Sequence, residues 1–204
     1  MHSIKTIQIK PTLQIYKGRR IMVEIKFFGR GGQGAVIASQ ILAKVFFSMG
    51  KYPQCFSLFG GERRGAPVAS FLRVDDKKIL LKCEIIRPDE MIFMAPDLVD
   101  EKEIDAVLKP DGLILINNAL TTNEFKALRK FRLALVDALS ISEELGMGAM
   151  INTAMLGAYA KASGAIPMEY LEKAIEETVP ARVEANIAAA RRAYEVTRLF
   201  TEAR

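Results

Sequence analysis

The sequence predicts an α/β fold: a Rossmann-like, doubly wound, mostly parallel sheet with a helical C-terminal part. Short apolar runs typical of strands covered on both faces alternate with segments of helical periodicity. A glycine-rich turn stands between the first such strand and the first helix. After Leu145 the apolar residues recur only at helical spacing. These observations predict crossover helices on a layered sheet, in which ligands bind beyond the carboxyl ends of the strands.

The individual elements follow from the same patterns. Val23–Phe28 is the first strand, and a long helix begins after the glycine turn, with apolar residues spaced through Phe46. Pro67–Val74 and Lys78–Lys82 are expected to form a hairpin around a turn at Asp75-Asp76. Further strands are expected at Met91–Ala95, Leu113–Asn117 and Leu133–Asp137, and helices at Leu98–Leu108, Thr122–Lys130, Met150–Ser163, Met168–Thr178 and Ala181–Thr201.

Length and charge predict one domain preceded by a basic tail. The 204 residues, half of them hydrophobic, suffice for one core. Residues 1–22 contain five basic residues and no acid, and residues 23–204 form the domain. Removing those five from the 29 bases leaves 24 against 24 acids, so we expect no nucleic-acid groove in the domain. Two explanations of the tail stay open: an untranslated stretch upstream of a start at Met22, or a basic arm that docks onto an acidic partner.

Features that the sequence lacks limit where the protein can be located and which chemistry it can perform. No apolar run approaches the length of a membrane span and no secretory signal precedes the domain, so we expect a cytoplasmic protein that does not bind membranes. Cys55 and Cys83 are expected to be buried thiols in a reducing compartment. His2 is the only histidine, so the domain contains neither a catalytic triad nor a self-contained zinc or iron–sulphur site. Catalytic and metal-binding residues are therefore expected on other chains.

The glycine turn is the first candidate binding element. Glycines let backbone N–H groups approach an anion, and the N-terminus of the following helix favours a phosphate. The pattern also fits the dinucleotide fingerprint, which further requires an acid about 20 residues on to hold a ribose. Tyr52–Phe59 contains no acid, and packing of strand against helix is the competing interpretation. The predicted ligand-binding residues of the turn are Gly29, Arg30, Gly31, Gly32, Gln33 and Gly34.

The second candidate element is the stretch Phe59–Val68, which reads FGGERRGAPV. Arg63 and Arg64 beside Glu62 offer fork-like donors for a phosphate or a carboxylate. A surface cluster of arginine and glutamate with little energetic value is the alternative. A third distinctive stretch, NTAMLGA, occupies Asn152–Ala158.

In this order and spacing, the three stretches resemble the γ subunit of pyruvate and 2-oxoisovalerate:ferredoxin oxidoreductases, over essentially all of residues 23–204. The resemblance implies a non-catalytic subunit, inactive alone, of a complex that converts a 2-oxoacid and coenzyme A to acyl-CoA, CO2 and reduced ferredoxin. It implies α, β and δ partner subunits that hold thiamine diphosphate, magnesium and [4Fe–4S] clusters, with ferredoxin as the electron acceptor. An independent NAD- or nucleotide-binding enzyme is the alternative.

Within that family, the glycine turn together with Arg63 and Arg64 is expected to shape the coenzyme A side of the enzyme. Both elements suit an anion, and coenzyme A is the phosphate-rich substrate that the reaction requires. The chain is expected to contribute no catalytic residue and no metal ligand. A purely structural subunit without ligand contact is a further alternative.

Overall fold

The fold is described from a computed structural model, which covers residues 22–59, 65–119 and 125–200. Within these ranges the chain forms a seven-stranded sheet, six α-helices and two short 3-10 helices. The predictions for the basic tail (1–21) and for Arg63 and Arg64 lie outside the described residues. The strands are β1 Val23–Arg30, β2 Tyr52–Phe59, β3 Pro67–Asp75, β4 Glu90–Phe93, β5 Leu113–Asn117, β6 Arg132–Val136 and β7 Arg198–Phe200. The α-helices are α1 Ala35–Ser48, α2 Glu101–Val107, α3 Ala138–Glu144, α4 Asn152–Ser163, α5 Met168–Glu176 and α6 Val183–Val196.

The sheet is mixed but mostly parallel, as predicted. Its strand order is β2-β3-β1-β4-β5-β6-β7. Strands β1, β4, β5 and β6 are parallel neighbours, and β3 is antiparallel to both β1 and β2, so β2 runs in the same direction as β1. Strand β7 is antiparallel to β6. Five of the seven strands therefore point the same way.

Two cores lie on opposite faces of the sheet. On one face, α1 and the C-terminal helices cover side chains such as Ile25, Phe27 and Leu115. On the other face, α2 and the 3-10 helix Lys126–Lys130 cover residues such as Met91 and Ile114. Helices on both faces confirm the doubly wound layering predicted from the sequence. Among the described helices, none combines the length and the apolarity that crossing a bilayer would take.

The predicted hairpin at Lys78–Lys82 is wrong. This stretch is not a strand, because both edges of β3 are already paired, one with β1 and the other with β2. The chain instead crosses toward β4 as an irregular segment, and the Arg73 guanidinium binds the backbone carbonyls of Cys83 and Glu84. Cys83 is consequently exposed, so the expectation of a buried thiol is wrong there, while Cys55 is half-buried.

The helices also differ from expectation in several places. The last helix ends at Val196, and the residues that follow add β7 to the free edge of β6. Of the predicted helix at Thr122–Lys130, only Lys126–Lys130 is helical within the described part, as a 3-10 turn. Helix α3 was not predicted from the sequence. Its start is stabilised by Asp137, whose carboxylate accepts hydrogen bonds from the backbone N–H and the hydroxyl of Ser140.

Candidate anion-binding site at the glycine turn

The glycine turn connects the carboxyl end of β1 to the start of α1. Strand β1 extends two residues further than predicted, because Gly29 and Arg30 pair with Val68 and Pro67 of β3. Gly32 and Gly34 have φ values of +102° and +82°, which residues other than glycine rarely adopt. The Gly34 carbonyl accepts the first hydrogen bond of α1, from the Ala38 N–H. The turn is thus a sharp strand-to-helix reversal that needs glycine.

The first turn of α1 adds backbone donors at this reversal. The N–H groups of Ala35, Val36 and Ile37 precede any possible intrahelical acceptor. Among the described residues they make no hydrogen bond to backbone outside the helix, and no acidic side chain lies in this turn. The helix dipole adds partial positive charge at the same place. This geometry favours an anion.

Two polar side chains of the turn, Arg30 and Gln33, make hydrogen bonds that brace it. The Gln33 side-chain oxygen accepts from the Arg30 N–H at 2.8 Å, and its amide nitrogen donates to the Met94 carbonyl at 3.4 Å. The Arg30 guanidinium hydrogen bonds with Asp97 and with the Gly65 carbonyl. Because of the hydrogen bond and the attraction between these two groups, the pKa of Asp97 is lowered and that of Arg30 is raised. Arg30 and Gln33 therefore fix the shape of the turn.

The turn is also joined to the end of the second sequence motif. The Gly31 N–H donates to the Ala66 carbonyl at 2.9 Å, and the Gly65 N–H donates to the Gly31 carbonyl at 3.2 Å. Together with the bond from Arg30 to the Gly65 carbonyl, these contacts hold Gly65, which directly follows Arg64 in the sequence, against the glycine turn.

Sequence reasoning missed Asn152, which the structure places beside the turn. A Cβ atom on Gly34 would lie 3.0–3.1 Å from the Asn152 side chain, so the carboxamide packs directly on this glycine. Asn152 is the first residue of α4 and of the NTAMLGA stretch, which was recognised as a motif without a role. Its side-chain oxygen accepts from the Thr153 N–H at 3.0 Å. The signal was present in the sequence, but only the fold shows that the first and third motifs meet.

These residues line a cavity of about 290 Å³. Its polar lining is formed by Arg30, Gln33, Asn152 and the backbone of Gly31, Gly32 and Gly34. Its apolar lining is formed by Ala35, Val36, Ile37, Val68 and Met150, of which Ile37 and Met150 are about half exposed. A cavity lined both by hydrogen-bond donors and by aliphatic groups suits a ligand that carries a phosphate and an apolar portion. Within the described ranges, no group of three His, Cys, Asp or Glu side chains is placed to hold a metal ion.

The strand order of the sheet also differs from that of a dinucleotide-binding fold, in which an acidic side chain holds the ribose. In the dinucleotide fold, the acid stands at the end of a strand that follows the first helix. Here that strand is β2, and β3 separates it from β1. The carboxyl end of β2 therefore lies two strands away from the glycine turn, and the sequence of β2 contains no acid.

The three motifs stand in a chain most of which matches known proteins. A family model for pyruvate ferredoxin/flavodoxin oxidoreductase matches residues 24–196. The chain belongs to this family. The "Pyruvate/ketoisovalerate oxidoreductases common subunit gamma" of Pyrococcus furiosus is 45% identical over 183 residues, which cover 88% of this chain and 99% of that subunit. The family and the γ-subunit type predicted from the three motifs are confirmed.

Solved structures agree with this membership. Pyruvate oxidoreductase subunit PORC from Thermotoga maritima superimposes with a TM-score of 0.74 at 33% identity, covering 89% of this chain and 99% of that one. A 2-oxoglutarate:ferredoxin oxidoreductase from Magnetococcus marinus, solved with 2-oxoglutarate, coenzyme A and succinyl-CoA bound, gives a TM-score of 0.68. That match covers 87% of this chain and 30% of the larger one, and at 16% identity it shows the fold alone.

Proposed function

We propose that this family member is the γ subunit of a complex that converts a 2-oxoacid, pyruvate in the first instance, and coenzyme A to acyl-CoA, CO2 and reduced ferredoxin. In this proposal α, β and δ subunits hold thiamine diphosphate, magnesium and [4Fe–4S] clusters, and the γ subunit forms part of the coenzyme A side. The observation that carries the proposal is the meeting of the glycine turn, Asn152 and the end of the arginine motif at one cavity.

The chemistry of coenzyme A supports this assignment. The molecule carries a pyrophosphate and a 3′-phosphate, which suit the backbone N–H groups at the start of α1. Its adenine and pantetheine portions suit the aliphatic lining formed by Val36, Ile37, Val68 and Met150. Arg63 and Arg64 stay predicted phosphate ligands, since they lie outside the described residues.

The rival proposal, an independent NAD-binding enzyme, is less well supported. It rests on the glycine pattern alone, whereas β2 lacks the ribose acid and does not lie next to β1. Titration of the isolated chain with NAD distinguishes the two. Saturable binding in the micromolar range would favour the rival.

The Ile37→Glu substitution tests the anion site directly. Ile37 is 45% exposed at the third position of α1, where a glutamate is compatible with a helix start. Its negative charge would repel a phosphate bound at the neighbouring N–H groups. We expect the apparent affinity of the assembled complex for coenzyme A to fall roughly 10-fold, from the interaction of two charges about 6 Å apart in a partly screened site. Ile37→Gln is the control of equal shape, and it should change the affinity by less than about 3-fold.

The same measurement applies to Arg63→Ala and Arg64→Ala. Loss of one charge-assisted hydrogen bond is expected to weaken the apparent coenzyme A affinity by roughly 10- to 100-fold. Pyruvate-driven reduction without coenzyme A should be preserved, because decarboxylation is assigned to other subunits. An unchanged coenzyme A dependence in all these variants would mean that the turn serves packing alone.

A further inference from the structure

A second feature lies at the opposite end of the sheet from the glycine turn. Residues 77–87, here called the crossover segment, connect β3 to β4 without forming a helix or a strand. They expose three large aliphatic side chains: Leu80 is 79%, Leu81 48% and Ile86 67% accessible. Strand β1 spans eight residues, so this surface lies roughly 25 Å from the turn. Clustered exposure of this kind marks an interaction surface.

The exposure is not a sign of a loose loop, because the protein interior holds the crossover segment in place. Ile85 is completely buried, which anchors the chain between the exposed Leu81 and Ile86. The buried Arg73 guanidinium donates to the carbonyls of Cys83 at 2.7 Å and Glu84 at 3.2 Å. A surface whose backbone is already fixed loses little entropy when it binds a partner.

The charge of the crossover segment indicates the chemistry of the surface that it can bind. It carries four basic side chains against the single acid Glu84, whose carboxylate lies 3.8 Å from the Lys26 ammonium. A matching surface therefore needs an apolar centre and an acidic border. The basic side chains are Lys77, Lys78, Lys82 and Arg87.

The same charge argues against two other occupants. A second copy of this chain would bring an equally basic segment against the first, and like charges across an interface are unfavourable. Residues 1–21 of the chain itself contain five basic residues and no acid, so they are also mismatched. The acidic border must belong to a different protein.

We propose that the crossover segment is the surface by which this chain docks onto another subunit of the oxidoreductase, against an apolar patch bordered by acidic side chains. This inference rests on the proposed function, since it requires that the chain assemble with partner subunits. Docking at this end of the sheet leaves the glycine turn free for its ligand.

Hydrogen exchange of the free chain and of the reconstituted complex tests the proposal. Among the described residues, no backbone carbonyl accepts a hydrogen bond from the N–H groups of residues 78–82, so these groups should exchange quickly in the free chain. We expect their exchange to slow at least 10-fold in the complex, while the amides of Gly31 to Gly34 change little before coenzyme A is added. Equal exchange of residues 78–82 in both states would overturn the proposal.

Substitutions provide the second arm. Ile86→Glu places a charge at the centre of the surface and should weaken assembly at least 10-fold, as should the charge reversal Lys78→Glu with Lys82→Glu. Phe47→Glu is the matched control, because Phe47 is 69% exposed on α1, outside both surfaces. It should assemble like the wild type. Thermal unfolding of each free chain shows that the variants fold.

The remaining outcomes separate the alternatives. A wild-type chain that does not join the other subunits at all would contradict the proposed function itself, and the docking surface with it. Protection of residues 78–82 in the free chain that rises with its concentration would assign the surface to self-association instead. Protection that disappears when the chain is shortened to begin at Met22 would assign it to residues 1–21. Either result overturns the proposed partner.

Discussion

Gly157→Ala is expected to destabilise the fold by at least about 3 kcal/mol, in spite of the helix-favouring nature of alanine. Gly157 lies in α4, where it packs against α6, and an added Cβ atom would fall 1.9 Å from the Ala190 carbonyl oxygen and 2.6 Å from its carbon. Helix propensity alone predicts a gain of about 1 kcal/mol. The overlap is with backbone atoms, so no side-chain rotation relieves it and the two helices would have to separate.

Urea unfolding followed by circular dichroism measures this effect. Ala190→Gly, combined with Gly157→Ala, should not restore stability, because the overlapping atoms belong to the Ala190 backbone. A neutral or stabilised Gly157→Ala chain would show that α4 and α6 pack less closely than described here.

Replacement of Arg73 is expected to have the second largest effect. Arg73 is 1% exposed, and its guanidinium donates to Glu24 at 3.0 Å as well as to the two carbonyls of the crossover segment. Arg73→Met would leave those carbonyls without their donor and Glu24 with Lys109 as its remaining ion-pair partner. Loss of this buried ion pair and of the two hydrogen bonds to carbonyls should lower the free energy of unfolding by about 3 kcal/mol. Arg73→Lys should lose somewhat less, because it keeps a positive charge near Glu24, but it should still be destabilised, because an ammonium cannot reproduce the planar fork.

The surface pair between Arg191 and Glu172 is a natural comparison. Arg191 donates two hydrogen bonds to this carboxylate, at 2.6 and 2.7 Å, but its side chain is 62% exposed. Arg191→Met should therefore cost less than about 1 kcal/mol. Chemical denaturation of Arg73→Met and Arg191→Met measures the loss of unfolding free energy in each. We expect burial of the arginine, and not its number of hydrogen bonds, to determine that loss. Similar losses at Arg73 and Arg191 would contradict the argument.

Local sequence patterns predicted those elements whose environment is uniform along their length. Leu113–Asn117 was assigned correctly because a strand buried on both faces is apolar at every position. Lys78–Lys82 has a similarly apolar centre, but the strand that it would have to pair with in a hairpin, β3, is already paired on both sides, with β1 and β2. Arg198–Phe200 shows the converse case, since a helical pattern gives way to a strand where β6 offers an unpaired edge. Whether a strand has a free edge depends on the whole sheet, so the local periodicity of the sequence cannot show it.

The candidate site was predicted in part. The glycine turn was recognised from its glycine pattern between a strand and a helix, and the structure shows that Gly32 and Gly34 adopt positive φ values there. The roles of Arg30 and Gln33 were not foreseen, since their partners Asp97 and Met94 lie more than 60 positions away in the sequence. The role of Asn152 was missed for the same reason: it begins the recognised NTAMLGA motif, but its contact with Gly34 joins residues more than 100 positions apart.

Reconstitution of the oxidoreductase with and without this chain is the most direct test of the central claim. The assay is reduction of ferredoxin driven by pyruvate and coenzyme A, run on the chain alone, on the other subunits alone and on the mixture. We expect no activity from the chain alone, and coenzyme A-dependent turnover only when the chain joins the other subunits. Oxidation of a 2-oxoacid by the isolated chain, with either NAD or ferredoxin, or full turnover by the other subunits without it, would contradict the account.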